Sequence, residues 1–122
     1  MITYNQANGN LSKDGQLLGV GYSGHPPYVN DPTSEAIPQQ GVIPRGLWTI
    51  GEVILEHPRL GPFVLPLTPE ASTNVYQRSG FFCHGDEIAT AGQELGSHGC
   101  IVMGRSVREA IVASGDTELE VV

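Results

Sequence analysis

The feature that most limits what this chain can become is its punctuation. Sixteen glycines and nine prolines fall at short intervals along 122 residues, and helical periodicity is nearly absent before residue 104. Between these breaks lie short apolar runs rich in Val, Ile, Leu and aromatics, a pattern that builds strands and turns. The reading is therefore mainly β: a single-domain β-sandwich or partly open barrel spanning residues 1–122. Strands are expected at Ile2–Asn5, Gln16–Tyr22, Leu47–Leu55, Phe63–Leu67, Gly80–His84 and Thr117–Val122. Asn8-Gly9 and Asp14-Gly15 are turn dipeptides between the first of these. The polar, proline-rich stretch Ser23–Gly41 reads as a long loop, and loops of that length in compact domains often border a binding site.

One helix is signalled, shortly after Cys100. Ser106 and Glu109 have the S-x-x-E spacing of a capping box, Val107, Ala110 and Ile111 share a face, and Gly115 is a suitable stop. There are no repeats, low-complexity tracts or interdomain linkers.

Charge excludes some function classes. Thirteen acidic residues against six basic ones give a net charge of -7, with one lysine (Lys13) and five scattered arginines. Nucleic-acid binding draws its affinity from clustered Lys and Arg, so no nucleic-acid partner is expected. No run approaches the roughly 18 apolar residues of a spanning helix, so no membrane partner is expected either. The N-terminus lacks a basic start followed by an apolar core, so no secretory signal is expected.

The chemistry concentrates in "FFCHGDEIATAGQELGSHGCIVM", Phe81 to Met103, which holds both cysteines and two of the four histidines. Three arrangements are open. As a zinc module, Cys83, His84, His98 and Cys100 would need to converge. Adjacent strand residues point to opposite faces, however, and the C-x2-C spacing of structural zinc is missing. A Cys83–Cys100 disulfide would close a loop of ordinary length but would leave "SHGC" unexplained. In the third arrangement Cys100 is a nucleophile activated by the imidazole of His84, sixteen positions upstream. Alternation then turns Cys83 into the core as an inert thiol. Gly99, lacking a Cβ, would let backbone N–H groups approach a developing oxyanion.

"SHGCIVM", preceded by His84-Gly85, resembles the nucleophile motif of the L,D-transpeptidase catalytic domain, a cysteine acyl-transferase domain acting on bacterial peptidoglycan. "IPRGLWTIGE", Ile43 to Glu52, is similar to that family's strand entry, and "GPFVLPL", Gly61 to Leu67, to the strand before its histidine. "YSGHPPYVNDP" looks like the short, signal-less members used as antibacterial effectors of contractile secretion machines such as type VI systems, or carried by phages. The basic residue common two positions after the cysteine is Val102 here, and Arg105 is the nearest arginine.

The resemblance implies that Cys100 forms a thioester with a stem peptide, that His84 is its base, and that the Gly85 carbonyl orients the imidazole. Backbone N–H groups near Gly99 and Cys100 would hold the oxyanion. Substrate contacts are expected from Ser97, His98, Arg105 and Tyr22. His98 is expected chiefly to support its loop, Ser97 reads equally as a turn former, Arg105 equally as a solvated residue ahead of the helix, and Tyr22 by default as a packed tyrosine. Asp86 and Glu87 are read as a charged loop or as contacts to a diaminopimelate amine. His25 joins Tyr22 in the long loop, Trp48 is expected in the core and His57 on the surface. No cofactor or metal is implied. The implied partners are peptidoglycan stem peptides, with an immunity protein or a secretion-machine carrier. The implied localisation is synthesis in the cytoplasm and action in the periplasm or cell wall after delivery by another route. A catalytically silent binding or structural module is the rival from another class.

Overall fold

A computed structural model describes residues 1–86 and 96–122. Among the described residues the fold is mainly β with one α-helix, in line with the mainly-β expectation. The described strands are β1 (Ile2–Tyr4), β2 (Asn10–Lys13), β3 (Gln16–Val20), β4 (Tyr22–Ser23), β5 (Gly46–Ile50), β6 (Ile54–His57), β7 (Gly61–Pro69), β8 (Phe82–His84), β9 (Ile101–Val102) and β10 (Glu118–Val121). Helix α1 (Arg105–Ser114) lies between β9 and β10.

The strands form one path, β3-β2-β1-β10-β5-β7-β8-β9-β4, with β6 pairing on β7. The β2–β3 hairpin turns on Asp14 and Gly15, both at positive φ (49° and 84°), as a two-residue type I′ turn requires. β3 and β4 stand at opposite ends of the path yet are separated only by Gly21. The run expected as one strand, Gln16–Tyr22, is thus shared between both edges. Its first half pairs with β2 and its second with β9, which wraps the sheet around its core. Gly21 is where this switch happens: its N–H donates to Gly9 O at 2.9 Å, and a Cβ there would run into Val102 O.

Other boundaries differ from expectation for local reasons. The strand expected over Leu47–Leu55 is two, because the Gly51 N–H turns to Pro66 O (2.8 Å) between β5 and β6. β2 was not signalled: in Asn10–Lys13 only Leu11 is buried, so no alternation stands out. The capping box does not form. Gly104 is the N-cap with no side-chain hydrogen bond, Ser106 lies inside α1, and Glu109 accepts instead from Arg105 Nε at 3.3 Å. Gly115 does close the helix in the left-handed conformation (φ 72°).

The core gathers around Ile2, Tyr4, Trp48, Leu65, Ile101 and Leu119. The buried face of α1 contains Ile111 and, unexpectedly, Arg108 in place of the exposed Ala110. Arg108 donates Nε to Met103 O (3.0 Å) and Nη1 to Pro62 O (2.9 Å) and Phe63 O (2.6 Å), so one guanidinium ties α1 to β7 and to the end of β9.

Cys83 is a free thiol in this core, and burial pushes it up to about 12. Tyr4 is raised by the same cause. An unfolded thiol ionises near its ordinary value while the folded one keeps its proton, so the stability present below pH 9 is lost as pH rises toward 12. By pH 12 the contribution of Cys83 is on the order of 4 kcal/mol. Denaturant unfolding followed between pH 8 and 11 should show this alkaline fall. Cys83→Ala should make it shallower, and an unaltered slope would remove Cys83 as its source.

Candidate active site

β8 and β9 run parallel with Cys83 opposite Ile101 and His84 opposite Val102, and the Met103 N–H donates to His84 O at 2.9 Å. Alternation sends Cys83 into the core, while Phe82 and His84 turn to the other side. There they line a cleft of about 520 Å³ together with Cys100, which enters it from the residue just before β9. His84 and Cys100 are thus brought together from adjacent strands, and the two cysteines are separated onto opposite faces.

The His84 ring is buried, with Nδ1 2.7 Å from Gly85 O. A carbonyl oxygen can only accept, so Nδ1 carries the proton and the lone pair sits on Nε2, the tautomer a base needs. The Cys100 thiol is half-buried, 3.7 Å from Gly80 O. Burial pushes it up to about 11, against the opposing pull of the Phe82 backbone hydrogen bond and the guanidinium groups of Arg59 and Arg78. At rest it is a protonated thiol, so a proton acceptor beside it decides whether it can act.

The turn carrying Cys100 is held by two buried hydroxyls. Ser97 Oγ donates to Cys100 O (2.6 Å) and accepts from the N–H groups of Gly99 (3.1 Å) and Gly24 (3.0 Å). Ser23 Oγ donates to Gly99 O at 3.0 Å. Ser97 therefore shapes the turn, and its hydroxyl is not turned outward to a ligand. The Gly99 N–H is occupied by Ser97, which leaves the Cys100 N–H as the other candidate oxyanion donor of that pair. Gly99 has φ 127°, and a Cβ there would collide with Arg78 Nη2.

No protein-family model matches the chain, and no curated protein does.

The remaining expected contacts distribute unevenly. His98 lines the cleft, stacks on His25 (4.8 Å, 9°) and donates Nδ1–H to Gln39 O at 3.0 Å. It thereby ties the nucleophile turn to the long loop, whose Pro38 and Gln39 also border the cleft. Tyr22 and Arg105 are absent from the cleft and border a second depression of about 350 Å³ instead. The Tyr22 hydroxyl donates to Asp86 (2.6 Å) and accepts from the Gly96 N–H (2.8 Å), holding the two residues that flank 87–95. Asp86 is thus engaged by Tyr22; Glu87 lies outside the described residues. Arg105 packs 4.5 Å over the Phe63 ring and pairs with Glu109, since α1 begins there and its first turn faces β7.

Sequence reasoning missed three residues that build the cleft. Arg78 donates to the carbonyls of Glu35, Gly41 and Val42 while lying over Phe81, fastening the long loop beside Cys100. His57 Nδ1 accepts from the N–H groups of Arg59 and Leu60 (both 3.1 Å), and its ring packs on Phe82 at 5.3 Å. Arg59 is thereby presented at the cleft edge. Each depends on partners dozens of positions away or on a turn with no motif, so no sequence signal marked them. Among the described residues, no group of three or more His, Cys, Asp and Glu is placed to hold a metal ion. No helix among them is long and apolar enough to cross a membrane.

Proposed function

We propose that this chain is a peptidoglycan-directed cysteine acyl-transferase, an L,D-transpeptidase or L,D-carboxypeptidase working through a thioester on Cys100. The observation that carries the reading is that His84 and Cys100 line one cleft, with His84 Nδ1 held on Gly85 O. In the proposed cycle, Nε2 of His84 takes the thiol proton as Sγ attacks the carbonyl preceding a terminal D-amino acid. The same ring then delivers that proton to the departing amine as the C–N bond breaks. The Cys100 N–H serves as an oxyanion donor. Water, a free D-amino acid or a second stem amine then attacks the thioester, giving up a proton to His84 and restoring the thiol. Action on the wall as an antibacterial effector, beside an immunity protein or secretion-machine carrier, belongs to the same proposal.

Incubation of purified protein with tetrapeptide muropeptides, read by mass spectrometry, is expected to yield tripeptide, exchanged or cross-linked products that vanish with Cys100→Ala. Identical products from wild type, variant and blank would end the enzyme reading. The elevated thiol favours one alternative, a catalytically silent module that keeps the fold. Labelling with a mild electrophile separates the two. A functioning pair reacts fast near neutral pH and slows with His84→Ala; a silent thiol reacts slowly in both.

A further inference from the structure

The described residues that line the cleft are cationic where the protein as a whole is acidic. The chain carries a net charge of -7, yet the described residues lining the cleft include Arg59, Arg78, His84 and His98 and no Asp or Glu. Most cations of the chain have assigned partners. Lys13 meets Asp116, Arg45 meets Glu35 and Arg105 meets Glu109, while Arg78 and Arg108 spend their donors on backbone carbonyls. The exposed Arg59 guanidinium makes none of these contacts among the described residues, although its backbone is held by His57. An arginine held at its base, with its planar fork of donors open toward a cleft, matches a carboxylate in shape and charge. Arg78 has three of its five N–H groups on backbone carbonyls and adds positive potential, and the concave wall concentrates that field.

We infer that Arg59 is the anion-recognising residue of the Cys100 cleft, and that the cleft takes a ligand carrying a carboxylate close to the carbonyl that Cys100 attacks. The role expected for Arg105 thus passes to an arginine from the β6–β7 turn. The influence of both arginines on the thiol agrees with their nearness to it. Identifying the carboxylate with the free C-terminus of a stem peptide rests on the function proposed above; the anion site itself does not.

The test uses two reagents with the same leaving group, iodoacetate and iodoacetamide, on the full chain. Cys100→Ala supplies the background from Cys83. Arg59→Gln is expected to lower the Cys100 rate with iodoacetate relative to iodoacetamide by about three- to tenfold. Arg59→Lys should fall between, and added salt should shrink the wild-type preference. An unchanged ratio in Arg59→Gln, or a Cys100 that neither reagent reaches, would overturn the site. A second arm compares a tetrapeptide stem with its C-terminal amide: Arg59→Gln should lower kcat/KM for the free acid and spare the amide. Should wild type process neither peptide, the proposed function fails while the alkylation ratio still decides the anion site.

Discussion

Under the proposed function, His84→Gln is expected to reduce turnover of tetrapeptide stems about 10²–10⁴-fold, the usual worth of a positioned general base. The argument starts from the thiol. Burial pushes Cys100 up to about 11, so near neutral pH almost none of it is thiolate. The proton must leave for something beside it, and His84 presents Nε2 because Gly85 O holds the other nitrogen as the donor. Glutamine roughly fills the space of the ring but cannot take up a proton. Product formation by mass spectrometry, with thermal unfolding as the control for folding, reads the effect. The pH profile is the sharper readout: in the variant, residual activity should climb with pH toward the thiol's own range near 11. A variant that keeps the wild-type rate and profile would take the imidazole out of the mechanism.

The largest loss of stability is expected from Arg108→Met, about 3–5 kcal/mol. Arg108 is 4% exposed and satisfies carbonyls of Pro62, Phe63 and Met103 at once. Methionine fills part of the volume but leaves those buried and part-buried acceptors without their donors, and an acceptor stripped of its partner costs more than the bond contributed. The effect reaches the cleft as well. A Cβ on Gly85 would lie 2.8 Å from Arg108 Nη2, so the guanidinium backs the residue whose carbonyl orients His84. Denaturant titration should show the midpoint falling with little change in slope. Arg108→Lys, which keeps a charge but not the fork, should recover only part of the loss. A loss below about 1 kcal/mol for Arg108→Met would mean water reaches these carbonyls.

Local rules read much of this protein from its residues. Glycine and proline spacing announced a β-rich chain, Asp14-Gly15 a hairpin turn, and Gly115 the end of the helix, because backbone preference acts within a few residues of itself. Strand alternation separated Cys83 from His84 for the same reason: the period of two is a property of the extended chain. The failures share a cause. Ser106 and Glu109 fit a capping box, but Gly104 caps the helix two residues earlier, where Arg108 can reach β7 and Met103 O.

The cleft was the least legible part. That Arg59 lines it while Arg105 borders the second depression depends on how β6–β7 and α1 pack around β8 and β9. The clamp of Arg78 on carbonyls 36 to 43 positions away has no local signature at all. The sequence by itself determined a β-rich chain, its turn chemistry and which side chains carry reactive groups, since these follow from short-range sterics and side-chain identity. Only the tertiary structure decided which arginines line the thiol's cleft and which nitrogen of His84 is held by Gly85 O, because burial, pairing and field are set by how the elements pack.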